Sequence, residues 1–156
     1  MKVKKTIALV AHDNRKADMI EWVEWNWKEL VGHRLVCTGT TGRLIDSSLR
    51  AKFIEDDLVP PDVICLKSGP LGGDQQLGAM ISDGKIDILI FLWDPMEPQP
   101  HDVDVKALLR IAVLYNIPIA NNRSTADFVV MSSLFHSEYK PVAKDYSSYM
   151  NRELDT

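Results

Sequence analysis

Two short blocks of the chain carry side chains able to move protons beside a small anion. Ser68-Gly69-Pro70 runs into Gly72-Gly73-Asp74-Gln75-Gln76, and Pro100-His101-Asp102 is followed by Asp104. A carboxylate such as Asp74 can take a proton from carbon, and a neutral imidazole such as His101 can donate to an oxygen as it becomes negative. Gly69 and Gly73 let the backbone approach a ligand closely. Each block follows an apolar, strand-like run, where open parallel sheets place their ligands. The pairing points to an enzyme acting on a small anionic substrate.

Each feature also has a plain structural reading. Asp74 either caps the helix after the glycines or is held at the rim, aimed at a substrate carbon; an oxygen committed to a cap is a poorer base. Thr38-Gly39-Thr40-Thr41-Gly42 is either an ordinary turn or an anion site, where helix amides and threonine hydroxyls converge on a phosphate. It lacks the Gly-Lys-Ser/Thr ending of a nucleoside triphosphate loop, and no dinucleotide fingerprint follows the first strand. Lys16 either adds positive charge there or is a solvated lysine. Asp102 is read as the cap of a helix starting at Val103, and Asp104 either favours that helix's dipole or orients His101. His12, directly followed by Asp13, is treated like His101 as a neutral imidazole. No His-x-x-x-His or Cys-x-x-Cys spacing supports a metal. His33 and His136 are read as lying in polar surroundings without a catalytic part.

The elements that must position these groups follow from apolar periodicity. Strands are expected over 6–11, 35–38, 62–66, 86–93 and 117–120, and helices over 15–30, 41–53, 75–83, from 103 onward and over 124–131. The tail from Pro141 is polar, with scattered tyrosines. Strands alternating with helices predict an α/β fold: one doubly wound, Rossmann-like sheet of about five mainly parallel strands, in a single domain over 1–156. The strand carboxyl ends then deliver His12-Asp13, Thr38 to Gly42, Ser68 to Gln76 with Gly73, Asp94, and Asn121-Asn122 to one edge. The opposite ends, with Gly32, Pro60-Pro61, Gly84 and Asn116, read as plain connections. Trp22 and Trp25 are placed on one side of their helix and Trp27 with Val23, more aromatic surface than one stripe needs, which suggests a subunit contact. Trp93 is a candidate wall of the pocket.

Composition agrees with a globular enzyme. The 156 residues are 46% hydrophobic and 26% charged, enough for one sizeable core, and the net charge of -4 comes without a basic tract. Nucleic-acid binding is therefore disfavoured. No apolar run is long enough for a bilayer, and the short apolar stretch after the basic amino terminus is read as a buried strand rather than a secretory signal. The two cysteines, Cys37 and Cys65, are expected as reduced core thiols of a cytoplasmic protein.

In order along the chain, Ala11-His12-Asp13, Thr38-Gly39-Thr40-Thr41-Gly42, Ser68 to Gln76, Phe91 with Asp94-Pro95, and Pro100-His101-Asp102 with Asp104-Val105 and Leu108-Leu109-Arg110 closely resemble the methylglyoxal synthase family. The resemblance implies conversion of dihydroxyacetone phosphate to methylglyoxal and inorganic phosphate, without metal or organic cofactor. It implies Asp74 as the base, His101 as the histidine assisting at the substrate oxygens, and Asp104 hydrogen-bonded to that histidine. His12 and Asp13 match other active-site positions. Lys16, Thr38, Thr40, Thr41, Ser68 and Gly69 match substrate and phosphate contacts, and Arg152 a terminal arginine reaching the phosphate. A homohexamer inhibited by phosphate is implied as well. Val103 and Asn121 depart from the family's usual proline and threonine. A non-catalytic domain of this fold that binds an anionic effector is the alternative.

Overall fold

The computed structural model describes residues 1–55, 59–142 and 144–151. Five strands, β1 (Thr6–Ala11), β2 (Arg34–Thr38), β3 (Asp62–Leu66), β4 (Ile88–Leu92) and β5 (Ile119–Ala120), form one sheet in the order β3-β2-β1-β4-β5. Every pairing is parallel. The chain winds outward through β1, β2 and β3, then returns to the other side of β1 for β4 and β5. The order therefore reverses beside β1, which opens a crevice at the carboxyl ends there.

Alternation along the strands decides which helices cover which face. Ile7, Leu9, Leu35, Cys37, Ile88 and Ile90 point to one side, where α1 (Lys16–Trp25), α3 (Gly39–Glu55) and α6 (Arg123–Val130) bring Met19, Trp22, Ile45, Leu49 and Val130. Ala8, Val10, Val36, Leu89 and Phe91 point to the other. There α4 (Gly73–Ser82) and α5 (Asp102–Leu114) supply Leu77, Ile81, Val105 and Leu108. The inner strands carry apolar residues on both faces, because both faces are covered.

Several expectations change in detail. The helix expected over 15–30 breaks at Asn26, whose side-chain amide and backbone N–H both donate to the Trp22 carbonyl (3.0 Å each). It restarts as α2 (Trp27–Leu30). Trp22 is buried, its indole N–H donating to Asp127 Oδ1 (2.8 Å), whereas Trp25 is exposed; the two do not share a side. Trp27 packs edge-on against Phe53. Cys65 is exposed, not a core thiol, because β3 is an edge strand. The fifth strand keeps only the two residues after Pro118, and among the described residues the tail contains one short helix, α7 (Ser147–Met150). Among the described residues no helix is long and apolar enough to cross a membrane.

His33 is also corrected: it is buried, not set in polar surroundings. Its Nδ1 accepts from the Lys5 backbone N–H (3.1 Å), and its ring lies edge-on to Phe135. Burial, with the nearby Lys5 charge, lowers its pKa from 6.5 to about 4. The unfolded chain therefore binds more protons than the fold between those values. This contribution is complete above pH 6.5, shrinks as pH falls toward about 4, and changes no further below. The span corresponds to stability on the order of 3 kcal/mol. In His33→Asn, the amide oxygen can replace Nδ1 as acceptor without titrating. Urea unfolding of this variant at pH 7.5 and 5 should show a shallower loss of stability than the parent; equal losses would refute the assignment.

Candidate active site

At the reversal point the strand exits surround a small cleft of about 70 Å³. β1 delivers His12 and Asp13, and α1 delivers Lys16. β2 and the opening turn of α3 deliver Thr38, Gly39, Thr40 and Thr41. Ser68, Gly69 and Pro70 follow β3, Asp74 sits in the first turn of α4, and Gln99 and His101 come from the loop after β4. Ten residues expected at the site, His12, Asp13, Lys16, Thr38, Thr40, Thr41, Ser68, Gly69, Asp74 and His101, thus line one cavity.

Asp74 does not cap its helix. Gly72 occupies the cap position in a left-handed conformation (φ 97°), and no side chain bonds there. The carboxylate is buried, and its Oδ2 has no hydrogen-bond partner. His101 Nε2 lies 3.6 Å from that oxygen, too far for a hydrogen bond but close enough to exchange a proton after a small shift. Burial raises the proton affinity of Asp74; the His101 charge opposes this and the Asp104 charge adds to it.

Gly69 makes this arrangement possible. A Cβ on it would stand 2.7 Å from His101 Nε2 and 3.0 Å from Asp74 Oδ2, so only hydrogen leaves room for both. Gly73, expected at the rim, has a packing role instead. A Cβ there would come within 2.1 Å of the Lys67 carbonyl oxygen, which lets α4 begin tight against the strand exit.

His12 is buried with its ring edge toward Phe91 and His101. Burial, reinforced by the neighbouring His101, lowers its pKa and favours the neutral ring. Nδ1 accepts the Asp94 backbone N–H (3.2 Å), which leaves the proton on Nε2. Nε2 is buried without a partner and is ready to donate to an oxygen placed in the cleft.

Lys16 supplies positive charge on the opposite wall. Its Nζ lies 2.6 Å from Asp13 Oδ1 and 2.6 Å from Thr40 Oγ1, and bonding to this lysine lowers the Asp13 pKa. Beside it α3 opens; its first amide, that of Gly39, donates to the Lys67 carbonyl (3.1 Å), and the next amides lack upstream carbonyls within the helix, so they add to the ammonium and hydroxyls of this wall.

Three expected residues fall elsewhere. Asp94 is buried behind His12 rather than in the cleft wall. Asp104 is not the partner of His101, whose Nδ1 is buried with none. Its carboxylate instead shares a groove between α4 and α5 with Asp74 and Gln75. Arg152 lies outside the described residues. Trp93 lines a separate groove with Arg15, Pro95 and Asn121. Asp102 is the first helical residue of α5, with His101 in the cap position and no side-chain cap bond. Gln99 was missed; its only signal is its place in a polar loop two positions before His101. Among the described residues no cluster of three or more His, Cys, Asp or Glu could hold a metal ion.

The MGS-like domain family matches residues 18–121. The methylglyoxal synthase of Maridesulfovibrio salexigens is 56% identical over 153 residues, covering 96% of this chain and 98% of the relative. That of Oleidesulfovibrio alaskensis is 55% identical over 152 residues, covering 97% of each. The chain belongs to the methylglyoxal synthase family. A crystal structure of methylglyoxal synthase from Elizabethkingia anophelis, 47% identical, superposes with a TM-score of 0.87 over 99% of this chain and 95% of the other. The similarity spans every strand exit that builds the cleft, so the family's fold and this site belong to one continuous unit.

Gly69→Ala should leave the far-ultraviolet circular dichroism spectrum intact. It should lower the catalytic rate by roughly 100-fold, because the added methyl displaces the Asp74–His101 pair. A parental rate in a folded variant would mean that the pair does not need this spacing.

Proposed function

We propose that the chain is a carbon–oxygen lyase that converts dihydroxyacetone phosphate to methylglyoxal and inorganic phosphate. The observation that carries this reading is the buried, unpartnered Asp74 oxygen beside His101, facing a wall built for an anion. Family membership supports it over an effector-binding domain without catalysis.

The phosphate binds against Lys16, Thr40, Thr41 and the opening amides of α3. Asp74 removes a proton from the hydroxymethyl carbon next to the ketone, and negative charge develops on the carbonyl oxygen. The neutral Nε2–H of His12 and the imidazole of His101 are the donors that support an enediolate there. A bound substrate replaces water around Asp74, which strengthens the carboxylate as a base. Elimination needs the carbon–oxygen bond to phosphate perpendicular to the enediolate plane, so that its electrons flow into the breaking bond. The grip on the phosphate therefore selects elimination over isomerisation by orientation. Phosphate leaves, and the resulting enol becomes methylglyoxal by proton transfer.

The same reading makes inorganic phosphate both product and competitor at the Lys16 wall, with the whole chain, 1–156, acting as one domain. The family resemblance and the exposed Trp25 and Phe128 support a homo-oligomer, a hexamer by that resemblance. Free thiols at Cys37 and Cys65 support a cytoplasmic setting.

Protein treated with chelator and given dihydroxyacetone phosphate should release methylglyoxal and phosphate in equal amounts. Dihydroxyacetone plus phosphate would identify a phosphatase instead, and tight binding without products a sensor. Asp74→Asn should lose about 1000-fold or more in kcat while still binding phosphate. His101→Asn should lose less, since His12 and water can donate in its place. A greater loss from His101→Asn than from Asp74→Asn would exchange their importance.

A further inference from the structure

Asn14 lies outside the cleft lining, in the turn Asp13–Arg15 between β1 and α1. Its side-chain Nδ2 donates to Asp94 Oδ2 (3.1 Å) and to Glu97 Oε2. Only the amino end of the amide can face two carboxylates; reversed, its carbonyl oxygen would repel both. The amide thus joins the exit of β1 to the loop after β4, the two strands between which the order of the sheet reverses.

The consequences reach His12 through Asp94. Oδ1 of this buried carboxylate takes the Met96 N–H (3.0 Å), while Oδ2 has Asn14 as its donor. The Asp94 backbone N–H then sets the protonation of His12 by donating to Nδ1 (3.2 Å). Beyond Glu97 the same loop carries Gln99 and His101 into the cleft. If the Asn14 amide is removed, a buried oxygen loses its donor and faces the Glu97 carboxylate, two costs that both push the loop outward.

We propose that Asn14 is a positioning residue: by bridging Asp94 and Glu97 it holds the loop after β4 in place and keeps His12 in the tautomer that donates from Nε2. The catalytic consequence rests on the proposed lyase reaction; the tautomer does not.

Asn14→Ala should lower kcat/KM by about tenfold, chiefly through kcat. Nitrogen NMR of histidine-labelled protein should show His12 moving from a single Nε2–H form toward a mixture of tautomers. Asn14→Asp keeps the shape but adds a third carboxylate and should lose more. Glu97→Gln in the Asn14→Ala background removes the repulsion and offers Asp94 a new amide donor; it should recover most of the loss and return the His12 signals. Unmoved His12 signals in Asn14→Ala would overturn the proposal, whether activity is parental or has fallen with thermal stability. Failure of the double variant to recover either readout would overturn the bridging role. If the parent makes no methylglyoxal, the lyase reading alone fails, and the His12 signals still decide whether the clamp exists.

Discussion

A carboxylate taken out of water and left short of a donor is the constraint around which this cleft is arranged. Asp74 is only 4% exposed, its Oδ2 has no hydrogen bond, and the nearest imidazole nitrogen stops at 3.6 Å. Such an oxygen is unfavourable in a resting protein, because its hydration is lost without a full replacement. It becomes useful when a substrate carbon supplies the missing proton. The raised proton affinity and the short gap to His101 are two results of the same burial.

Tolerance for that carboxylate comes from the backbone around it. Gly73 lets α4 start against the Lys67 carbonyl, which carries Asp74 inward, and Gly69 leaves the space that Asp74 and His101 both occupy. The remaining charges are arranged to avoid adding to the problem. Lys16 stands with Asp13 on the phosphate wall, while Asp94 is satisfied behind His12 by the Met96 N–H and Asn14, which hold its pKa down. In the proposed reaction the base comes from the exit of β3, while the anion is held at the exits of β1 and β2. The sheet sets their separation rigidly, so a substrate held at one end presents a defined carbon at the other.

The parallel character of the sheet and most of the cleft were legible because their signals are local. Continuous apolar runs give buried strands, and glycine with polar clusters beyond them give the functional edge. What the sequence did not disclose depends on edges and on contacts between distant loops. Cys65 sits in an apolar run, as Cys37 does, but its strand closes the sheet on one side and leaves the thiol exposed. His33 sits between a glycine and an arginine in sequence, yet it is buried against Phe135 from a segment about a hundred residues away. Asp94 reads as one more acid at the rim. Its backbone N–H, invisible to any motif, is what acts on His12. Asn14 carries no sequence signal, since an amide moves no protons, although it can decide where a carboxylate stands.

The alternative of a pure anion sensor is weighed best by the atoms such a protein would have no reason to keep. Binding a phosphate needs the Lys16 ammonium, the hydroxyls and the opening amides of α3. It does not need three buried side-chain atoms without partners, Asp74 Oδ2, His12 Nε2 and His101 Nδ1, all on residues that line the cleft. Each such atom lowers stability by about 1–3 kcal/mol relative to a satisfied or apolar replacement. A sensor would gain by replacing them with packed apolar groups. Their concentration in one small cleft is better accounted for by a reaction in which an oxygen gains charge and a carbon loses a proton, because these events supply His12 Nε2 and Asp74 Oδ2 with the partners they lack.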